Sequence, residues 1–367
     1  MGHNSSEEPV RHFIMPTQSR QQVTIQDVAK AVGASKSTVS AAFTGKGRVS
    51  PQRRDEILNT ARELGFEPNP HAQRLSNGRS ANMVGLFSLT LDYMAWQTMS
   101  HLHHELADCG YEAPLYTYGY SLEDWPDYRP LLSSLIRQQP EGIICNTFKL
   151  PPEATDIFCQ YLQKGGAVVG LNSPLDVPCD QLLFDRETNT RLAIRHLLEA
   201  GHREIGLGGL MAHDLFRPRM QGYQAELKAH GIIAEPSWLI DIEVRGGSNM
   251  VTDEARGAAL AEQFVRLKKR PSALCIVNDT VAATFVHQLL ARGYKVPEDI
   301  SVVAIDGMPI TLYSVVKITT VTQPREEMAA KAVEFLLERL TGAYNGAPRK
   351  ITYTGEVVAR DSVRKIQ

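Results

Sequence analysis

From Asn82 onward the chain alternates short apolar runs with amphipathic stretches of helical spacing, and no other feature restricts its fold as much. The runs MVGLFSL, GYEAPLYTY, GIICNTF, AVVGLN, QLLFD, EIGLGGL, WLIDIEV, ALCIVND and SVVAIDG read as strands. Helices are expected near Trp96 to Cys109, up to Gln138, near 153–164, from Asn189 to Ala200, from Arg219 to Ala229, and over 254–267 and 280–292. Runs this apolar have no face to give to water, so they suit parallel sheets covered by helices on both sides, and their number suits two lobes. Ligands of such sheets sit beyond the carboxyl ends of the strands, which makes a cleft between the lobes the expected binding site. No short-period repeat or low-complexity tract interrupts the pattern.

The first eighty residues are built differently. Val23 to Gly45, VTIQDVAKAVGASKSTVSAAFTG, reads as a helix-turn-helix. Thr24 is placed to cap the first helix with Asp27 three residues on, and Ile25, Val28, Ala29 and Val32 form its apolar stripe. After the turn Gly33-Ala34, Ser35 can cap a second helix with Val39, Ala42 and Phe43 inward and Lys36, Ser37, Ser40 and Ala41 outward. A helix N-terminus offers N–H groups to phosphate, and outward side chains this small let the helix enter a major groove. A third helix is expected from Ser50 to Leu64, with Pro51 at its first position and Ile57, Leu58, Ala61 and Leu64 covering the other two. The resulting division is a disordered arm over 1–22, an all-α headpiece over 23–67, a linker over 68–80 and a core over 81–367. The linker, with Pro68, Pro70 and Gly78, has room for about two helical turns, too few to be stable alone in water.

Charge divides along the same line. Residues 1–80 carry eleven Lys/Arg against seven Asp/Glu, a net +4, while the whole chain is at −2 and the remainder therefore at −6. Only the N-terminal end suits phosphate, where neutralisation releases counterions. The five cysteines are scattered, with no CxxC, and read as ordinary thiols of a reducing compartment. No run of about 18 apolar residues occurs, and MGHNSSEEPVRHF lacks a basic start and apolar stretch, so a cytoplasmic chain with no membrane partner is expected.

Five segments in this order carry a family resemblance: TIQDVAKAVGASKSTVS, NPHAQRLSNGRS, TRLAIRHLLEAGHREIGLGG, ALCIVNDTVAATF, and KVPEDISVVAIDG followed by TTVTQP. The chain resembles the lactose/galactose repressor (LacI/GalR) family of bacterial transcription regulators from Val23 to about Arg360. The resemblance implies an α/β protein: an all-α helix-turn-helix headpiece, a hinge helix, and a two-lobe core of parallel sheets like that of periplasmic sugar-binding proteins, assembled as a homodimer. It places Lys36, Ser37 and Ala41 at base edges, with Thr24, Ser35, Thr38, Ser40, Thr44 and Arg48 at phosphates. Ala41 departs from the arginine many members carry, which leaves a thymine methyl or no direct readout at that position. Ala72 and Leu75 fall where hinge helices pair and wedge leucines into the minor groove. In the core it assigns Asp185, Arg219, Asp306 and Asn278 to the effector, with Trp96, Phe216 and Met250 as an apolar wall.

Several of these residues have plainer alternatives. Asp185 is also placed to cap the next helix, Arg219 and Asp306 to form a structural ion pair, Lys36 to contact phosphate rather than a base, and Trp96 to complete a core. Carboxylates beside a guanidinium fix vicinal hydroxyls, which favours a sugar; His213, Arg217, Arg219 and Arg245 raise an acidic sugar or sugar phosphate. The expected function is that of a repressor of a sugar or sugar-acid pathway, released from a palindromic operator by its ligand. The alternatives are a regulator that needs a purine or nucleoside corepressor, or a sugar-binding transport receptor. His101, His103 and His104 lack metal-ligand spacing, and no Walker loop, dinucleotide fingerprint or nucleophile elbow occurs. Neither a metal, a cofactor nor catalysis is expected. The chain stops without a leucine heptad tail, so a dimer is expected rather than a tetramer.

Overall fold

The computed structural model describes residues 23–44, 49–66, 82–88, 93–117, 129–147, 150, 152–211, 216–242 and 252–366. The expected arm and hinge, with Arg48, Ala72, Leu75, His213, Arg245 and Met250, lie outside them, as does the side chain of Thr44. The chain divides into two compact units, Met1–Gly78 and Arg79–Gln367.

The first unit holds helices α1 (Ile25–Ala31), α2 (Lys36–Thr44) and α3 (Pro51–Glu63). Asp27 accepts from both the N–H and the hydroxyl of Thr24, at 2.8 and 2.7 Å, so the start of α1 is fixed by the pair expected from sequence. Ser35 caps α2 by accepting from the Thr38 N–H at 3.1 Å, and Ser50 caps α3 by accepting from the Arg53 N–H at 3.4 Å. Val28, Ala29, Val32, Val39, Ala42, Ile57 and Ala61 form the buried centre. Leu64 is not part of it: it follows the last turn of α3 and is 40% exposed, while Phe66 takes the covering role against Phe43. Arg53 ties the unit together by donating from Nη2 to the Val32 carbonyl at the end of α1, at 2.5 Å.

The second unit contains two six-stranded sheets. In the first lobe β1 (Val84–Ser88), β2 (Leu115–Thr117), β3 (Gly142–Thr147), β4 (Ala167–Asn172) and β5 (Asp180–Phe184) run parallel. In the second, β6 (Ile205–Gly209), β7 (Leu239–Asp241), β8 (Ala273–Ile276), β9 (Ser301–Asp306) and β10 (Thr319–Thr322) do the same. Two strands from the C-terminal end complete them: β11 (Lys350–Tyr353) extends the first sheet in parallel beside β5, and β12 (Val357–Val358) lies antiparallel on β10. The strand orders are therefore β11-β5-β4-β3-β1-β2 and β12-β10-β9-β8-β6-β7, the same winding twice. The second sheet is parallel except at this edge, where the chain coming from β11 enters β12 beside the carboxyl end of β10 and runs back along it.

Each sheet is buried on both faces. In the first lobe α4 (Tyr93–Asp108) and α12 (Arg325–Thr341) cover one face with Leu102, Leu106, Ala329 and Leu336, while α5 (Arg129–Arg137) and α6 (Pro152–Gln163) cover the other. In the second, α9 (Asp253–Arg266) and α10 (Asp279–Ala291) cover one face, and α7 (Arg186–Glu199) and α8 (Phe216–Ala229) the other. A short helix, α11 (Ile310–Tyr313), follows β9. Helix α8 begins three residues before Arg219, and its Phe216 ring packs against Gly209, where a Cβ would lie 2.0 Å from it. Among the described residues no helix is long and apolar enough to cross a membrane.

The chain passes between the lobes three times, at β5–α7, β10–α12 and β11–β12, and the passages are bonded to one another. The Asp185 N–H donates to the Tyr353 carbonyl at 2.9 Å, and the Thr322 N–H to the Glu356 carbonyl at 2.8 Å. Gly355 donates to Asn189 Oδ1 at 2.8 Å, and a Cβ at Gly355 would fall 1.7 Å from the Thr322 carbonyl, so only glycine lets these strands approach.

Asp180 holds the returning segments to the first lobe. Its carboxylate accepts from Arg339 Nε and Nη2 at 3.0 and 2.7 Å, from Arg349 Nη2 at 2.8 Å and from the Arg349 N–H at 2.7 Å. Burial pushes this carboxyl up, but the Arg339 and Arg349 bonds outweigh it and leave it below the ordinary range. A depressed folded-state pKa stabilises above the unfolded value of about 3.9 and is lost as pH falls through the folded value. Asp180→Asn is expected to cost about 2–3 kcal/mol in urea unfolding at pH 7, somewhat less than a fully buried pair because both arginines keep partial exposure. The difference from the parent chain should shrink as Asp180 protonates below about pH 3.9. An unchanged midpoint at pH 7 would contradict this role.

Candidate functional site

In the N-terminal unit the inward face of α2 is closed by Val39 and Ala42, which turns its N-terminal end outward. Lys36 and Ser37 are exposed, and Thr38, Ser40 and Ala41 are half-buried. The Ser35 hydroxyl stands 2.7 Å from that of Ser37 and 2.8 Å from that of Thr38, so three hydroxyls cluster at the first turn around one cap. Such a cluster presents donors beside the free N–H groups of a helix start, an arrangement that receives phosphate oxygens. Thr24 is exposed, with its hydroxyl already given to Asp27.

In the core, polar side chains gather where the strands of both lobes end. On the first lobe Ser88 and Asn172 end β1 and β4, and Asn146 is the last residue but one of β3, all buried. Asn146 donates to Ser88 Oγ at 3.2 Å and accepts from Asn172 Nδ2 at 2.9 Å, which makes a continuous amide ladder across three strand ends. Arg186 extends it, donating from Nη1 to the Asn172 carbonyl at 2.9 Å and from Nη2 to Ser173 Oγ at 3.1 Å. On the second lobe Asp306 ends β9, accepts from Gln323 Nε2 at 2.7 Å, and has its carbonyl held by Arg325 Nη2 at 2.7 Å. Two of these residues carry backbone strain: Asn172 has φ +78° and Asp306 φ +140°. Side chains other than glycine hold such angles only where the surroundings over-determine them, a condition common at ligand sites.

Three charges of the second lobe meet here, facing the strand ends of the first. Burial is the main influence on Arg186, which is lowered to about 9; the neighbouring Arg219 adds to the effect and Asp306 opposes it. Arg219 is also lowered, by burial first, with Asp306 acting in the opposite sense. Behind this layer, Asp279 accepts from the Met308 N–H at 2.5 Å and the Thr320 hydroxyl at 2.7 Å, and burial raises its carboxyl against the pull of Arg325 and Arg360. The arrangement can fix a polar ligand by hydrogen bonds from amides and forks while the Asp279 network holds the β9 and β10 ends rigid.

Arg219 and Asp306 are thus neighbours. Asp185 caps α7, accepting from the Thr188 N–H at 2.9 Å and its hydroxyl at 2.7 Å. Asn278 caps α10, accepting from the Val281 N–H at 2.9 Å and donating to Asp253 at 3.2 Å. Phe216, expected on the cleft wall, is 3% exposed inside the second lobe, because Gly209 opens a slot for its ring. Trp96 is 53% exposed on the first turn of α4, beside exposed Tyr93, and completes no core. Sequence reasoning does not single out Arg186, Gln323 or the Ser88–Asn146–Asn172 ladder. Their only signal is a polar residue at the end of an apolar run, which sequence also uses for turns.

Comparison with known proteins agrees with this architecture. Residues 24–69 match the family of bacterial regulatory proteins, lacI family, and residues 194–363 match the periplasmic binding protein-like domain. The HTH-type transcriptional repressor CytR of Escherichia coli (strain K12) is 26% identical over 344 residues, covering 94% of this chain and 97% of that protein. The HTH-type transcriptional repressor PurR of Vibrio vulnificus (strain CMCP6) is 25% identical over 350 residues, covering 94% and 99%. Among solved structures, the lac repressor dimer bound to operator and the anti-inducer ONPF has the same fold, with a TM-score of 0.77 at 22% identity over 94% of this chain and 100% of that one. With its reading helix and its two like-wound lobes in the same order along nearly the whole length of these relatives, the chain belongs to the lacI family of bacterial regulatory proteins.

Proposed function

We propose that this chain is an effector-responsive transcriptional repressor of the cytoplasm that binds a palindromic operator as a homodimer and is released by a small molecule in the interlobe cleft. One observation carries the reading: a DNA-reading helix precedes a core whose strand ends place Arg186, Arg219, Asp306 and Gln323 at the junction of two lobes. The division into a headpiece through 67, a linker over 68–80 and a core from 81 belongs to the same reading. Lys36, Ser37 and Ala41 face the bases, and Thr24, Ser35, Thr38, Ser40, Thr44 and Arg48 the phosphates. Ala72 and Leu75 enter the minor groove between the two headpieces. Arg219 and Asp306 hold the effector, Trp96 and Met250 border it, and Asp185, Asn278 and Phe216 act by shaping the strand ends.

The effector is a sugar or sugar acid, since adjacent carboxylate, amide and guanidinium groups fit vicinal hydroxyls. A purine or nucleoside corepressor is the second reading, favoured by the Asn146–Asn172 amides, whose paired donors and acceptors also suit the edge of a base. Effector binding changes the angle between lobes, and the linker carries that change to the paired headpieces. A coupling of this kind is typically about 1–3 kcal/mol.

Ile310, Leu312, Tyr313 and Val315 leave an exposed apolar strip on the second lobe, 78% exposed at Tyr313, which supports self-association. Sedimentation is expected to give a dimer, and a stable tetramer would contradict it. Selection from pooled random duplexes at low salt should enrich an inverted repeat with half-sites about one helical turn, ~10 bp, apart. Recovery of no repeat would overturn the reading. Lys36→Ala should weaken operator binding about tenfold. If Lys36 neutralises a phosphate, the slope of log K against log salt also falls by about 0.9; an unchanged slope with loss confined to one sequence marks a base contact. Unchanged affinity would remove Lys36 from the interface.

A further inference from the structure

Three features of the cleft point to the chemistry of its ligand. First, two guanidinium groups from different helices, Arg186 at the start of α7 and Arg219 on α8, lie deep in the protein and close enough to repel each other, while both keep some solvent-accessible surface. Second, among the described residues the carboxylate that acts on both is Asp306, and one of its oxygens accepts from Gln323. Asp185, adjacent to Arg186, has its oxygens turned to the Thr188 N–H and hydroxyl. Asp279 faces Arg325 and Arg360 instead. Third, the Gln323 amide is oriented by its donation to Asp306, which leaves its carbonyl oxygen buried without a hydrogen-bond partner. A buried acceptor in that condition costs about 1–3 kcal/mol until a donor reaches it.

We infer that the effector is a hydroxylated anion, its acid group received by the Arg186 and Arg219 forks and one of its hydroxyls donating to Gln323 Oε1. The inference rests on the effector-gated reading above and narrows it. Arg186 is held ready for an anion, because its Nη1 and Nη2 bonds to Asn172 and Ser173 on the first lobe keep the planar group still, although it begins a helix of the second lobe. An acid group placed between the two cations replaces mutual repulsion by two charge-assisted contacts. A carboxylate and a phosphate monoester share this chemistry, and the experiment separates them.

The test is thermal unfolding of the full chain with hexuronates, aldonates, hexose phosphates and inorganic phosphate, set against glucose and adenosine. At roughly a hundred times Kd an acid of the right shape should raise Tm by about 5 °C, and the neutral compounds should not. A response to uronate or aldonate alone marks a carboxylate, and a response to hexose phosphate alone a phosphate ester. Arg186→Met should abolish the rise. Arg186→Lys, which keeps the charge but loses the fork, should retain part of it and serves if the first variant does not fold. Stabilisation by neutral compounds only, equal stabilisation of parent and Arg186→Met, or no response to any of the acids would overturn the inference. Operator binding measured in the same preparations is independent of these outcomes, so a failure of the anion assignment is distinguishable from a failure of the repressor reading.

Discussion

A parallel sheet buried on both faces can keep a polar side chain only at its ends. Every residue of β1, β3, β4, β6, β8 and β9 is buried, and apart from Ser301, which opens β9, their polar side chains lie in the last two positions. Ser88, Asn146, Asn172 and Asp306 sit at those ends, where the sheet stops supplying covering helices and a second lobe faces them. Isolated, each would cost the desolvation of an unmade hydrogen bond; joined by Arg186, Gln323 and Arg325, they satisfy one another across the junction. The same constraint that closes the two cores therefore creates a polar layer between them.

That layer is coupled to the three passages of chain. Asp306 precedes the turn toward α11, Gln323 lies on the β10–α12 passage, and Arg186 begins α7 directly after the β5 passage. A ligand that contacts these residues necessarily touches segments whose backbone bonds set the angle between the lobes. Strain at Asn172 and Asp306 adds to the coupling, since a ligand that favours one backbone geometry at these ends favours one lobe angle. No separate relay is needed between binding and movement.

Much of this is legible in sequence where a local rule has a single solution. Thr24 with Asp27, Ser35 and Ser50 each cap a helix where expected, because a short polar side chain ahead of a periodic apolar stripe has few other uses. The strand runs are legible because full burial leaves an uninterrupted apolar string. The return of α12 and β11 to the first lobe is not, since it is decided by which sheet edge lies nearest and by the Asp180 bonds to Arg339 and Arg349, contacts about 160 residues distant in sequence. Asp185 and Asn278 are expected at strand ends and cap helices there; sequence alone does not separate the two roles, because a cap and a ligand contact ask for the same residue type at the same place. Arg186 escapes notice for the opposite reason: an arginine in the first turn of a helix usually faces water, and only the fold puts this one against Asn172 and Ser173.

Occupancy of the interlobe cleft is expected to govern the grip on DNA, and operator affinity in the presence of low-molecular-weight metabolites extracted from bacterial cells reports it. Fluorescence anisotropy with the selected duplex is expected to show a Kd shift of about 5–150-fold for the parent chain and none for Asp306→Asn. An extract without effect on the parent, or one that shifts both chains equally, would contradict the account.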